Sequence, residues 1–220
     1  MRVLTAAAPP FMKNGFVVVA GASNEAVVID PGDEVDALLG AIARERLNVS
    51  AILLTHAHLD HITGVGRAKA ALGAPVWLHR ADLFLYDDVV EQARLFGLEA
   101  EPQPPVDRFY DLSSPAAAAS RFGSCVVEVR HTPGHCPGGV CLAIGEADSD
   151  SRRLFVGDTL FAGSIGRTDL PGGDYDTLIH SIRTVLFAYP DDTVVHAGHG
   201  PATTIGDERR TNPFLAGAIA

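Results

Sequence analysis

Three imidazoles and one carboxylate fall within six residues at His56-Ala57-His58-Leu59-Asp60-His61. They follow an apolar run, Ala51-Ile52-Leu53-Leu54, and one threonine, Thr55. A single histidine is more often structural than a ligand. Three so close, interleaved with an aspartate, resist explanation by packing, because each buried ring needs hydrogen-bond partners. Imidazole and carboxylate are the groups that zinc and related divalent metals take up. The spacing is not the HExxH of a helical zinc protease, whose histidines lie four apart on one helical face. The apolar run reads as a buried strand. Ile62, Val65, Ala68 and Leu72 then recur at helical spacing, so the cluster sits on a strand-to-helix turn. Such turns at the carboxyl ends of strands are where α/β folds place their chemistry. His56 and His58 project to one side of an extended chain, and Asp60 and His61 come off the turn. Four ligands from two short segments suit two neighbouring metals better than one.

Three later segments have the same character. They are His131-Thr132-Pro133-Gly134-His135-Cys136-Pro137-Gly138-Gly139, Gly157-Asp158-Thr159-Leu160-Phe161, and His196-Ala197-Gly198-His199-Gly200-Pro201. Each sets a His or Asp beside glycine at the end of an apolar strand, where backbone can approach a metal closely. Asp30, before Pro31-Gly32, is a candidate carboxylate behind a ligand histidine, because ligand imidazoles usually donate their other N–H to such a group. A simple turn residue is the equal alternative. Cys136 reads as a packing residue, and His79, His131, His180 and His196 read as structural or peripheral.

The elements that must position these groups follow in order. Gly15 to Ala20 and Glu25 to Asp30 read as a hairpin joined by Gly21-Ala22-Ser23-Asn24. Asp33 is the expected N-cap of a helix whose apolar face is Val35, Leu38, Leu39 and Ile42. After the ligand turn the helix is expected to run to about Leu72. Pro75 to His79 reads as a strand, and Asp82 to Phe96 as a helix ended by Gly97. Residues 99–120 are irregular, with Pro102, Pro104, Pro105 and Pro115. Arg121 to Arg130, Gly139 to Ile144, Arg153 to Val156 and Thr193 to His196 read as strands. Asp174 caps a helix with Leu178, Ile179, Ile182, Val185 and Leu186 on one face, and a short helix lies around Asp207 to Thr211. The alternation predicts an α/β architecture with sheets buried between helices.

The ligand pattern, HxHxDH followed by His135, Asp158 and His199, resembles the metallo-β-lactamase fold superfamily. The likeness runs from the strand end at Val27 to Gly32 as far as His199. It implies a four-layer αββα sandwich with the site at one edge between the sheets. It implies that His56, His58 and His135 hold one metal, that Asp60, His61 and His199 hold a second, and that Asp158 bridges them. The metals would be two divalent ions, zinc first, with iron or manganese as alternatives. Residues 157–169 are similar to the glyoxalase II group, the hydroxyacylglutathione hydrolases, and most to its short bacterial members. Those also share a GHGP turn, here Gly198 to Pro201, and an NPF tail, here Asn212 to Phe214.

This second likeness implies hydrolysis of S-lactoylglutathione or a related hydroxyacyl thioester by a hydroxide shared between the metals. Asp60 would orient that hydroxide, and Arg167 is the candidate to meet the substrate's negative end, with a structural loop role as the equal alternative. Longer glyoxalase II enzymes carry a helical domain that helps grip glutathione; about twenty residues follow His199 here, which leaves the thiol portion open. True β-lactamases replace the bridging aspartate by Cys or Ser and are exported, so little turnover of β-lactams is expected. A persulfide dioxygenase is the rival enzyme. It shares His61 to Gly64 and Gly166 to Asp169, and would hold a single iron by His56, His135 and Asp158. A metal-stabilised binding protein without turnover is the third reading.

Composition bounds the rest. At 220 residues, 47 % apolar and 20 % charged, one globular domain over residues 1–220 is expected. A net charge of −10 argues against nucleic acid as a partner. Cys125, Cys136 and Cys141 form no paired framework, and no apolar run reads as a signal peptide or membrane span. A cytoplasmic location is the expectation, a homodimer is left open, and the partner is a small thioester.

Overall fold

The computed structural model describes residues 1–21 and 23–215. Ala22, in the expected hairpin turn, lies outside the described residues. The first half of the chain forms one six-stranded sheet. Its strands are β1 (Arg2–Ala8), β2 (Lys13–Val19), β3 (Glu25–Ile29), β4 (Asn48–Leu53), β5 (Val76–Leu78) and β6 (Arg108–Phe109), in that spatial order. The first three are antiparallel, and β3 to β6 run parallel. Parallel neighbours need crossovers, which helices supply. These are α1 (Val35–Glu45), then α2 (Leu59–Ile62) and α3 (Val65–Leu72), then α4 (Leu83–Asp87) and α5 (Val89–Leu95).

The second half repeats the plan. Strands β7 (Ala119–Phe122), β8 (Cys125–His131), β9 (Val140–Glu146) and β10 (Arg153–Gly157) form an antiparallel meander. A two-stranded ribbon follows, β11 (Leu160–Phe161) with β12 (Ser164–Ile165). Helix α6 (Tyr175–Thr184) then leads to β13 (Val194–Ala197), which joins β10 in parallel. Strand β14 (Thr203–Thr204) and helix α7 (Ile205–Thr211) complete the unit. The spatial order is β14-β13-β10-β9-β8-β7.

Strand alternation explains the layering. In β2, Phe16 and Val18 point to one face and Val17 and Val19 to the other, and all four are buried. Val17, Val19 and Ile52 pack under Leu38, Val65 and Val89 of the first helical layer. Phe16, Val18 and Leu53 meet Val127, Leu142 and Phe155 between the sheets. Leu154, Val156 and Val195 lie under Leu178, Ile182 and Ile205 of the second helical layer. Three apolar interfaces make four layers, the αββα sandwich expected from the sequence.

Several local expectations need correction. Asp33 is not the N-cap of α1; Glu34 precedes the helix without a side-chain cap, and Asp33 accepts from the Thr63 hydroxyl instead. The helix expected to reach Leu72 is broken at Thr63-Gly64. A Cβ on Gly64 would lie 2.4 Å from the Gly32 carbonyl, so only glycine fits where α2 ends and α3 begins. The single strand expected over 121–130 is the hairpin β7–β8, which turns at Gly123-Ser124. Asp82 to Phe96 is likewise divided into short helical segments. By contrast Asp174 caps α6 as expected, accepting the Thr177 N–H at 2.8 Å. Among the described residues no helix is long and apolar enough to cross a membrane.

Candidate metal centre

The carboxyl ends of β3 and β4 face those of β8, β10 and β13, which run parallel within their own sheet. Asp30 leaves β3, the 55–61 segment leaves β4, His135 follows β8, Asp158 follows β10, and His199 follows β13. Five strand ends therefore deliver every sequence-predicted ligand to one edge of the sandwich. Arg167, from the loop after β12, reaches the same cleft.

Three overlapping groups form there; Asp30, His56 and His61 make one, and the other two match the expected ligand sets. His56, His58 and His135 bring ligand atoms within 4.8 Å of one another, and so do Asp60, His61 and His199. Asp158 lies between them. Its Oδ1 is 3.2 Å from His61 Nε2, and its Oδ2 is 3.8 Å from His135 Nε2 and 3.5 Å from His199 Nε2. Asp60 Oδ2 is 3.0 Å from His199 Nε2.

Ring orientations follow from the partners behind them. Thr55 Oγ1 donates to Asp30 Oδ2 at 2.6 Å and so accepts from His56 Nδ1 at 3.1 Å, which leaves His56 Nε2 bearing a lone pair. His61 Nδ1 donates to Asp30 Oδ2 at 2.9 Å, aiming its Nε2 at the carboxylates. His135 Nδ1 donates to the Arg167 carbonyl at 2.7 Å, so its Nε2 faces His58 Nδ1 at 2.7 Å as an acceptor. Asp30 also accepts the Thr55 N–H at 2.7 Å. It is a buried orienting carboxylate, held at a φ of 48°. Left-handed backbone at a non-glycine residue costs about 1 kcal/mol or more and persists where surroundings fix it.

Divalent cations fit this donor set. Nε2 of His56 and of His58 are buried atoms with no hydrogen-bond partner, beside the close His61–Asp158 pair. Buried lone pairs without partners are rare in native proteins. Here two converge beside further histidines and carboxylates, and the donor types match zinc and iron. The backbone is shaped to the same end. A Cβ on Gly198 would lie 2.2 Å from Asp158 Oδ1 and 2.7 Å from His61 Cε1. Gly157, at a φ of 52°, turns the chain so that Asp158 can enter.

The electrostatics divide the site. Burial, with the neighbouring rings adding, holds His58 down at about 3 and His56 well below its ordinary value. Burial works the same way on His61, but the Asp60 and Asp158 carboxylates override it and lift that ring to about 10. Burial would raise Asp60 and Asp158, yet the histidines beside them keep both below the usual carboxylate range.

Four supporting residues carried no signal that the sequence reading used. Gln92 accepts the Leu59 N–H at 3.0 Å and donates to the Ala57 and Leu85 carbonyls, clamping the first ligand turn. Its place on the apolar face of α5, between Val89 and Ala93, was the available sign. Asp82 is fully buried and accepts from the Gly138 N–H at 2.5 Å and the Cys136 thiol at 3.1 Å, fixing the His135 turn. Lys13 is buried against Glu34 at 2.7 Å and also donates to the Asp30 carbonyl. Asn14 donates to the carbonyls of Ala197, Gly198 and Gly200, seating the His199 loop. Of the peripheral histidines, His79 and His131 stack on each other, and His196 stacks on Phe155. The Arg167 guanidinium lines the cleft but is engaged by Asp169.

Comparison with known proteins agrees with this architecture. The chain is 42 % identical over 191 residues to the hydroxyacylglutathione hydrolase GloC of Haemophilus influenzae, covering 86 % of this chain and 87 % of that one. It superposes on the BLEG-1 B3 metallo-β-lactamase with a TM-score of 0.87 at 38 % identity, over 98 % of this chain and 100 % of that one. It superposes on TTHA1623, solved in a di-iron-bound form, with a TM-score of 0.82 at 41 % identity, over 96 % and 100 % of the two chains. Residues 8–199 match the family described as the metallo-beta-lactamase superfamily, and the chain belongs to it.

Proposed function

We propose that this metallo-hydrolase-type chain is a thioesterase acting on S-lactoylglutathione or a related hydroxyacyl thioester, with two divalent metals, zinc or iron, at the two ligand groups. One observation carries the reading: Asp158 offers one oxygen toward His61 and the other toward His135 and His199. A carboxylate between two ligand groups suits a paired site rather than a single one. The name of the 42 % identical relative supports the same chemistry, and the di-iron form of a 41 % identical structure supports the pairing. Bound there, divalent cations supply an activated water and positive charge for a developing oxyanion.

The chain's own residues supply the rest. Asp30 and Thr55 fix the faces that His56 and His61 present. Asp60 stays ionised, so it accepts a hydrogen bond from a water and donates no proton. In the overall reaction the water oxygen joins the acyl carbon, the C–S bond breaks with its electron pair leaving on sulfur, and the water's two protons pass to solvent as carboxylate and thiolate form. Thiols ionise near pH 8.5, so this departure needs no strong general acid.

The decisive experiment combines metal analysis of protein purified without added metal with assays on S-lactoylglutathione and on glutathione persulfide. Two metals per chain and thioester cleavage without oxygen uptake are expected. One iron per chain, with oxygen consumed on the persulfide and no thioester cleaved, would replace this reading by the dioxygenase. A β-lactam is the second reading, because a structure at 38 % identity is named a metallo-β-lactamase. Penicillin turnover exceeding thioester turnover would establish it.

A further inference from the structure

The cleft above the ligand groups has a polar floor and apolar walls. The walls are Phe11, Leu59, Phe96 and Leu170. Phe11 and Phe96 meet edge to face, ring centres 5.5 Å apart. Phe96 keeps 49 % of its surface exposed. Large apolar side chains left open at the mouth of a cleft mark a ligand surface more than a stability device.

A second observation concerns charge. Among the described residues lining this cleft, Arg167 is the one lysine or arginine. Asp169 takes its guanidinium in a two-point pair, Nε at 2.7 Å and Nη2 at 2.8 Å. Two-point pairs of this kind are among the stronger hydrogen bonds in proteins. Lys13, also near the site, is buried and bonded to Glu34. At the cleft mouth, away from the positive charge of the floor, a carboxylate meets the aromatic wall and an arginine already paired with Asp169, a poorer partner than a free guanidinium.

In the reading proposed above, the acyl group is small and sits at the floor, so the thiol portion is what reaches Phe11 and Phe96. Resting on that reading, we infer that the preferred substrate is a thioester whose thiol portion is apolar and carries no free carboxylate. Glutathione, with two carboxylates, is then a tolerated carrier rather than the fitted one.

The test compares lactoyl thioesters of glutathione, of glutathione diethyl ester and of benzyl mercaptan on the metal-loaded protein. Each kcat/KM is divided by that thioester's own hydroxide-catalysed rate. The benzyl thioester should exceed S-lactoylglutathione by about tenfold, the scale of discrimination by a hydrophobic pocket, with the diester between them. Phe96→Ala should lower kcat/KM for the benzyl thioester by about tenfold and narrow that ratio. Asp169→Asn frees Arg167 and should raise kcat/KM for S-lactoylglutathione by about fivefold, mostly through KM, the size of one partly exposed charge contact. A preference for S-lactoylglutathione over both blocked thioesters, or a ratio unmoved by Phe96→Ala, overturns the inference and leaves the thioesterase reading standing. If no thioester is cleaved, that reading fails. Calorimetry with benzyl methyl thioether against S-methylglutathione then decides the inference alone: tighter binding of the first sustains it, tighter binding of the second ends it.

Discussion

The two ligand groups at the sheet edge lie side by side and treat protons in opposite ways. In the group of His56, His58 and His135, burial and neighbouring rings keep His56 and His58 neutral. Their lone pairs are ready for a cation at any ordinary pH. In the group of Asp60, His61 and His199, carboxylates hold protons on the rings; His61 is lifted to about 10, and His199 is raised by its bond to Asp60 despite burial. A cation entering there must displace a proton. Sequence spacing alone makes the groups look equivalent. The difference comes from which neighbours each ring meets in the fold.

Changing the residue that joins them should have the largest effect. Asp158→Asn keeps the shape and removes the charge facing both groups. Metal content should fall below two per chain and turnover by at least about 100-fold, at or beyond the upper end for ligand and supporting changes. His131→Asn is the control, since that ring stacks on His79 and bonds the Pro137 carbonyl. Near-normal turnover in the first and a dead second would undo the ligand assignment.

The comparison itself can be broken by pH. Between pH 8 and 6, His61 with its value near 10 stays protonated unless a cation takes its place, so affinity of the carboxylate-containing group should fall about tenfold per pH unit for each proton released. His58, near 3, contributes no such slope in that range. Metal content of dialysed protein should therefore drop from two toward one as pH falls. Equal loss from both groups would erase the distinction.

Asp30→Asn sharpens it more gently. The amide cannot accept equally from Thr55 and His61, so both rings behind it loosen, and metal affinity should fall about 10-fold. Titration of metal-free protein with zinc would report it. The smallest effect expected is on folding. Gln92→Leu leaves the Leu59 N–H and two carbonyls without their partner, costing about 1–3 kcal/mol in denaturant unfolding. An unchanged midpoint would mean that water replaces the amide.

The ligands were legible because imidazoles and carboxylates at strand ends are costly to bury without a task. Strands β2 to β5, β8 to β10 and β13 and the capped helix α6 were legible from period and turn chemistry, whereas β1, β6 and the ribbon β11–β12 were not. Their supports were not. Gln92, Asp82 and Asn14 act on segments far along the chain, and no local pattern tells which loop a lone polar residue will meet. The helix break at Gly64 was equally hidden, because Gly32, which crowds it, belongs to another turn.

Asn14 on β2 seats the loop of His199, so the first strands of the chain hold its last ligand. A polypeptide leaves the ribosome amino end first. All of His56, His58 and His135 are available once β8 and its turn have emerged, whereas the other group waits for β13. The two positions are therefore completed at different moments of synthesis, the group of His56 earlier and the group of His199 at the end. The arrival of His199 also brings the Ala197, Gly198 and Gly200 carbonyls that the start of β2 meets through Asn14.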